Sequence, residues 1–209
     1  MLISKYITED CIATKLKAGT KADVLKELTN LLFESKKLKN AGPALDQIMA
    51  REATESTGIG HGIAVPHARV SGLKSLICAV GRIPAGLEFL AVDKHPVHLI
   101  FLICYPPSQQ TTYLNFIATI SKLLRDGEHM QAILDAADEA EIFQLLEKLS
   151  ESLITQEETY ESQVKADPEL LTAQDAHADL VLLARLQLCQ EMYEAARTGK
   201  KQIKQRIEN

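Results

Sequence analysis

Residues 97–104 read Val-His-Leu-Ile-Phe-Leu-Ile-Cys. A strand with one wet face alternates apolar and polar side chains. A run broken only by His98 does not alternate, and it predicts a strand covered on both faces. Pro106 and Pro107 end it, because proline has no N–H to give a ladder. A strand covered on both faces needs helices above and below it, which implies a layered α/β domain. Residues 75–82 read as a second strand. The pattern does not yield the strand order. The stretch Val97–Tyr105 is far short of the roughly 20 apolar residues of a membrane span, so no membrane insertion is expected.

The helices that could cover such strands are legible from caps and periodicity. Thr20 and Asp23 resemble a capping box ahead of Val24, Leu25, Leu28, Leu31 and Leu32 at helical spacing. A second helix is predicted from Pro43, a favoured first position, with Leu45, Ile48 and Met49 inward and an end near Arg51 and Glu52. A third over 111–125 places Tyr113, Ile117, Ile120 and Leu124 on one face, with Gly127 as its C-terminal cap. A short helix over 128–136 follows. Another starts at Asp138, with Glu141 three residues on and Ile142, Leu145, Leu146 and Leu149 inward.

These elements complete a domain over residues 1–153 of the 209. Residues 154–167 are polar and read as a linker, and residues 168–209 read as a C-terminal helix and a basic tail, Lys200–Arg206. The middle of that helix, Leu180–Cys189, is too apolar to stand alone in water. It packs on its own domain, on a partner, or on a second copy of the chain as a homodimer through residues 168–198.

Composition removes several function classes. Aromatic residues are 5 % with no Trp, which leaves no stacking platform for single-stranded nucleic acid. Lys and Arg number 23 against 28 Asp and Glu, so no basic face for nucleic acid is expected. Cys11, Cys78, Cys104 and Cys189 form no Cys-x-x-Cys pair, so neither zinc nor a redox motif is indicated. Free thiols, with no apolar leader core before Glu9 and Asp10, point to the cytoplasm. His95 and His98, three apart on a strand, would face opposite sides, so no metal is expected, and no organic cofactor. Asp93 reads either as a site neighbour or as a turn cap.

The chemistry concentrates in residues 51–69. Gly58, Gly60 and Gly62 alternate. Glycine lets backbone N–H groups turn toward a ligand, and such nests bind phosphate-like anions. The bland alternative is a glycine-rich turn with no ligand. A dinucleotide-binding loop is disfavoured, because extended Ile63-Ala-Val-Pro66 follows where that motif needs a helix. Pro66 restrains the backbone before His67, so the imidazole can be held in one direction. Arg51 and Arg69 supply guanidinium forks that match phosphate geometry. A neutral imidazole is a good nucleophile, and the segment suits a phosphoryl group carried on a His67 nitrogen.

At these residues the sequence resembles a known family. Arg51-Glu52, then Ser56-Thr57-Gly58-Ile59-Gly60, then Gly62-Ile63-Ala64-Val65-Pro66-His67 is similar to the signature of the enzyme IIA domain of the fructose/mannitol class, nitrogen-regulatory proteins included, of the phosphoenolpyruvate-dependent sugar phosphotransferase system. The likeness continues through Asp93–Ile103 and Tyr113–Arg125, and covers residues 1–150. It implies a mixed sheet with helices on both faces and His67 as phosphoacceptor, with Arg51 and Thr57 beside the phosphohistidine. It also implies the phosphocarrier protein HPr or its nitrogen-branch counterpart as donor, and a cysteine of an enzyme IIB, or a regulated protein, as the next partner.

Two departures from the family stand out. Many relatives carry a second histidine where this chain has Tyr113, which can hydrogen-bond but cannot become a cation near neutral pH. His61 stands where relatives often have a small polar residue; it could replace the missing imidazole if the loop folds back, or be a surface histidine. Tyr113, together with the lack of any enzyme IIB or IIC segment in these 209 residues, favours the alternative of a non-transporting regulatory binding module.

Overall fold

A computed structural model of the chain describes residues 1–17 and 19–166. Among them are six strands: β1 (Ile12–Ala13), β2 (Gly58–Gly60), β3 (Ile63–Ala64), β4 (His67–Arg69), β5 (Ile77–Leu87) and β6 (Val97–Tyr105). Five α-helices accompany them: α1 (Lys21–Glu34), α2 (Ala41–Glu52), α3 (Gln110–Leu124), α4 (Gly127–Asp135) and α5 (Glu139–Ala166). The C-terminal helix expected over 168–209, with its dimerisation reading, and Cys189 lie outside the described residues.

The apolar run is the centre of the sheet. The strand order is β1-β5-β6-β3-β2, with β4 also paired to β6. β5 runs antiparallel to β6, while β3 and β4 run parallel to it, so the sheet is mixed. Along β6 the side chains alternate between two cores. Leu99, Phe101, Ile103 and Tyr105 join Phe116, Ile120, Ile133 and Ile142 of α3, α4 and α5. Ile100, Leu102 and Cys104 join Val24, Leu28, Leu32 and Ile48 of α1 and α2. Helices therefore cover both faces, as the missing alternation in β6 demands. Phe101 is fully buried, and cutting it to Ala would cost about 3–5 kcal/mol.

Local chemistry sets the element ends. Thr20 caps α1, its Oγ1 accepting from Asp23 N at 3.2 Å. At the start of α5, Asp138 Oδ1 accepts from Glu141 N at 2.9 Å and Glu141 Oε2 accepts from Ala137 N at 2.6 Å. α2 begins at Ala41 rather than Pro43, because Asn40 Oδ1 caps Gly42 N at 3.2 Å and Pro43 needs no donor in the first turn. Gly127 does not cap α3. It is the first residue of α4, whose N-cap is Asp126. β5 runs on to Leu87, with a register irregularity between Arg82 and Leu87 that accommodates Pro84.

In the stretch 154–167, read as a linker, the described residues are helical: α5 continues to Ala166. Between Glu139 and Ala166 there is no Gly or Pro, and Glu, Gln, Leu and Lys are good helix formers. The stretch is polar and lacks an apolar stripe, and so resembles a linker in sequence. β5 also carries Arg82. Nothing in its strand context marks it, yet it is buried, with Nε donating to Thr14 O at 3.0 Å and Nη1 to Leu134 O at 3.0 Å and Ala136 O at 2.6 Å. It satisfies the carbonyls at the end of α4, where a cation is favoured.

Candidate active site

β4 places His67 opposite Ile103 of β6, only 5 % exposed. Its Nδ1 lies 3.0 Å from Val65 O. A carbonyl can only accept, so Nδ1 carries the proton and Nε2 keeps the lone pair. The ring sits 4.8 Å from the Tyr113 ring, which stacks on Tyr105 at 4.3 Å and 8°. Burial, helped by the charges of Arg51 and Arg69 and opposed by the Val65 carbonyl, lowers the His67 pKa from 6.5 to about 3. The imidazole is thus neutral at physiological pH, and Nε2 is a nucleophile without prior deprotonation.

Arg51 lies in the last turn of α2, 5 % exposed, with Nη1 donating to Glu55 O at 2.9 Å. Its buried Nε has no hydrogen-bond partner among the described residues. A buried guanidinium N–H left unmatched is expensive unless something binds there. Arg69 Nη2 donates to Gln110 Oε1 at 2.6 Å, which aims the guanidinium along the start of α3.

Thr57 has a different environment. Its N–H donates to Glu52 Oε1 at 3.0 Å and its hydroxyl to Glu52 Oε2 at 2.5 Å. Both donors are taken by the chain's own carboxylate. Glu52 in turn pairs with Lys21 at 2.5 Å. The sequence places Glu52 beside Arg51, but gives no sign of its partners, which come from a neighbouring loop and from α1.

The glycine hairpin also departs from the expected phosphate nest. Gly60, His61 and Gly62 take φ of +94°, +53° and +74° in succession. The anion that they face is the Asp93 carboxylate, whose Oδ2 accepts from His61 N at 2.9 Å. His95 N also donates to Asp93 Oδ1, at 3.1 Å, and these N–H groups, His95 first, lower the Asp93 pKa. Asp93 therefore organises the hairpin and its own turn. Gly58 is required for close packing: a Cβ there would meet Ala91 Cα at 2.7 Å.

Gly62 O accepts from Leu99 N at 3.0 Å, and Ile63 pairs with Leu99 whereas His67 pairs with Ile103. The hairpin and His67 are thus separated by four positions of β6, about 13 Å. His61 is exposed and the structure does not bring it to His67. His95 and His98 do not share a site. His95 pairs with Asp93 in the turn, and His98 Nδ1 faces Ile83 O at 3.3 Å.

A family model described as "Phosphoenolpyruvate-dependent sugar phosphotransferase system, EIIA 2" matches residues 5–149. The chain belongs to this family. A fructose-specific EIIABC component of the phosphotransferase system from Bacillus subtilis is 30 % identical over 146 residues, 70 % of this chain but only 23 % of that protein. A nitrogen regulatory protein from Pseudomonas aeruginosa is 28 % identical over 69 % of this chain and 94 % of its own length. The crystal structure of the nitrogen regulatory protein IIA-Ntr from Neisseria meningitidis matches with a TM-score of 0.62 and 27 % identity, covering 70 % of this chain and 99 % of that one. The enzyme IIA fold therefore accounts for the sheet and helices of the described residues. No helix among them is long and apolar enough to cross a membrane.

Proposed function

We propose that this enzyme IIA domain carries a phosphoryl group on His67 Nε2. The observation that supports it best is the Nδ1–Val65 O hydrogen bond at 3.0 Å, which leaves a buried, neutral imidazole with its lone pair on Nε2. The donor is phospho-HPr or its nitrogen-branch counterpart. Nε2 attacks the donor's phosphorus, the donor's P–N bond breaks, and a P–N bond forms on His67. Positive charge then develops on the ring, and Val65 O faces the Nδ1–H that carries it. Arg51 and Arg69 offset the charge of the phosphoryl oxygens, as transfer of this kind demands. Thr57 fixes the loop; its hydroxyl reaches a phosphoryl oxygen only by leaving Glu52. The acceptor is an enzyme IIB cysteine or a regulated protein, and the reaction takes place in the cytoplasm.

The test uses labelled phosphoenolpyruvate, enzyme I and HPr. Label should appear on the protein and disappear in His67→Ala; no label on the wild type, or undiminished label on His67→Ala, defeats the proposal. A second reading, a regulatory module whose partner senses the phosphorylation state, is supported by the likeness to nitrogen regulatory proteins. Partner capture by unphosphorylated and phosphorylated protein should then differ; equal capture counts against this reading.

A further inference from the structure

Tyr113 lies in the first turn of α3 and is fully buried. Two ring contacts define its place. The Tyr105 ring, at the end of β6, stacks on it with centroids 4.3 Å apart and planes 8° apart. The His67 imidazole lies 4.8 Å away by centroid, at a tilt of 44°. Two rings this close cannot meet edge to edge in one plane, so the imidazole lies toward a face of Tyr113 rather than its rim. The strand that carries the nucleophile also fixes the helix that carries Tyr113. On β4, Arg69 pairs with Tyr105 of β6, and its Nη2 donates to Gln110 Oε1, at the start of α3, at 2.6 Å.

The imidazole changes charge in the proposed reaction. Before transfer it is neutral, with Nδ1 donating to Val65 O at 3.0 Å. When Nε2 bonds to phosphorus, its lone pair enters the new P–N bond, and the electron pair of the donor's P–N bond stays on the donor's nitrogen. Nδ1 keeps its proton, because a carbonyl accepts a hydrogen bond without removing the proton. The ring is then an imidazolium. A cation within about 6 Å of an aromatic centroid is attracted by the negative ring face, most strongly where water is excluded. His67 is 5 % exposed and Tyr113 0 %. The attraction is weak towards the neutral imidazole and strong towards the charged one, so it favours the transition state and product over the starting state. The phenol stays uncharged near neutral pH and adds no competing charge. We infer that the Tyr113 ring stabilises, through a cation–π contact, the imidazolium that forms on His67 as the phosphoryl group arrives. The inference rests on the carrier reading of His67.

The test is a graded one. Label from phospho-HPr is equilibrated with the full chain, and its partition between the two proteins gives the transfer equilibrium. Tyr113→Phe keeps the ring and should stay within about threefold of wild type. Phenylalanines carrying one, two and three fluorines, placed site-specifically instead of Tyr113, keep nearly the same shape while draining negative charge from the ring face. The transfer equilibrium should fall stepwise along that series, by about fivefold or more in all, with Tyr113→Leu at or below its end. The melting temperature of the unphosphorylated protein should not follow the series. A ring that merely fills space would leave the equilibrium unmoved by fluorine.

A transfer equilibrium that is flat along the fluorine series overturns the inference. So does a Tyr113→Phe variant as impaired as Tyr113→Leu, which would assign the effect to the hydroxyl. If Tyr113→Leu does not fold, the fluorine series decides alone. No label on the wild type would defeat the carrier reading and this inference with it, whereas label on the wild type with a flat series defeats this inference only.

Discussion

The two ends of the segment from Thr57 to His67 handle charge in opposite ways. At the glycine hairpin the His61 N–H is taken internally by Asp93, and Thr57, which accepts from Val65 N at 3.0 Å, gives both of its donors to Glu52. Around His67 the nearby charges are Arg51 and Arg69, and the Arg51 Nε faces no acceptor among the described residues. A glycine-rich loop invites the idea that backbone amides bind phosphate. Here the N–H of Thr57 is taken by Glu52 and that of His61 by Asp93, and the cations whose charge reaches His67 are Arg51 and Arg69. Gly58 serves close packing at one end, and cations surround the buried imidazole at the other.

This contrast can be broken by substitution. Arg51→Ala should have the largest effect on transfer, a loss of about 10²–10³-fold in labelling rate, as for other removed donors at a developing charge. Gly58→Ala should act on stability instead, lowering it by about 2–3 kcal/mol in denaturant titration, because its Cβ cannot coexist with Ala91 Cα at 2.7 Å.

The next effect is a pH dependence. The His67 pKa falls from 6.5 in an unfolded chain to about 3 in the folded one. Below pH 6.5 the unfolded chain binds a proton that the folded chain refuses, so stability declines as pH falls towards 3. Between pH 7 and 5 the wild type should lose about 2 kcal/mol more than His67→Ala, measured by denaturant titration at each pH. Equal losses would show that the ring is not held neutral.

Asp93→Asn removes the hairpin's anion and should lower stability by at most about 1 kcal/mol with little change in labelling rate. Smallest of all, His61→Ala should leave the labelling rate within about twofold, as expected for a side chain about 13 Å along the strand from the nucleophile. A large loss in either variant would mean that the hairpin takes part in transfer, and would erase the distinction between the two ends.

Much of this was legible in the sequence where the cause is local. The apolar run of β6 foretold helices on both faces, Thr20 and Asp138 marked helix starts, and Pro66 before His67 marked a held imidazole. Features set by distant partners were not legible. The reason for the glycines sits at Ala91 and Asp93, and the partner of Glu52 sits at Lys21 on another helix. Arg82 reads as a polar interruption in a strand, because the carbonyls that it caps belong to residues 133–136. That residues 154–166 are helical was not legible either, because they carry no apolar period.

The stacked pair of Tyr105 and Tyr113, with His67 tilted against Tyr113, has an optical consequence. The protein has no Trp, so its near-ultraviolet spectrum comes from five tyrosines and five phenylalanines. Two of those tyrosines are buried in mutual contact, and one of them touches the imidazole. A dianion added to that imidazole would change the field across the paired rings. The chain therefore carries a built-in chromophore beside His67, through which the state of that imidazole could be followed by tyrosine emission or circular dichroism without any attached label.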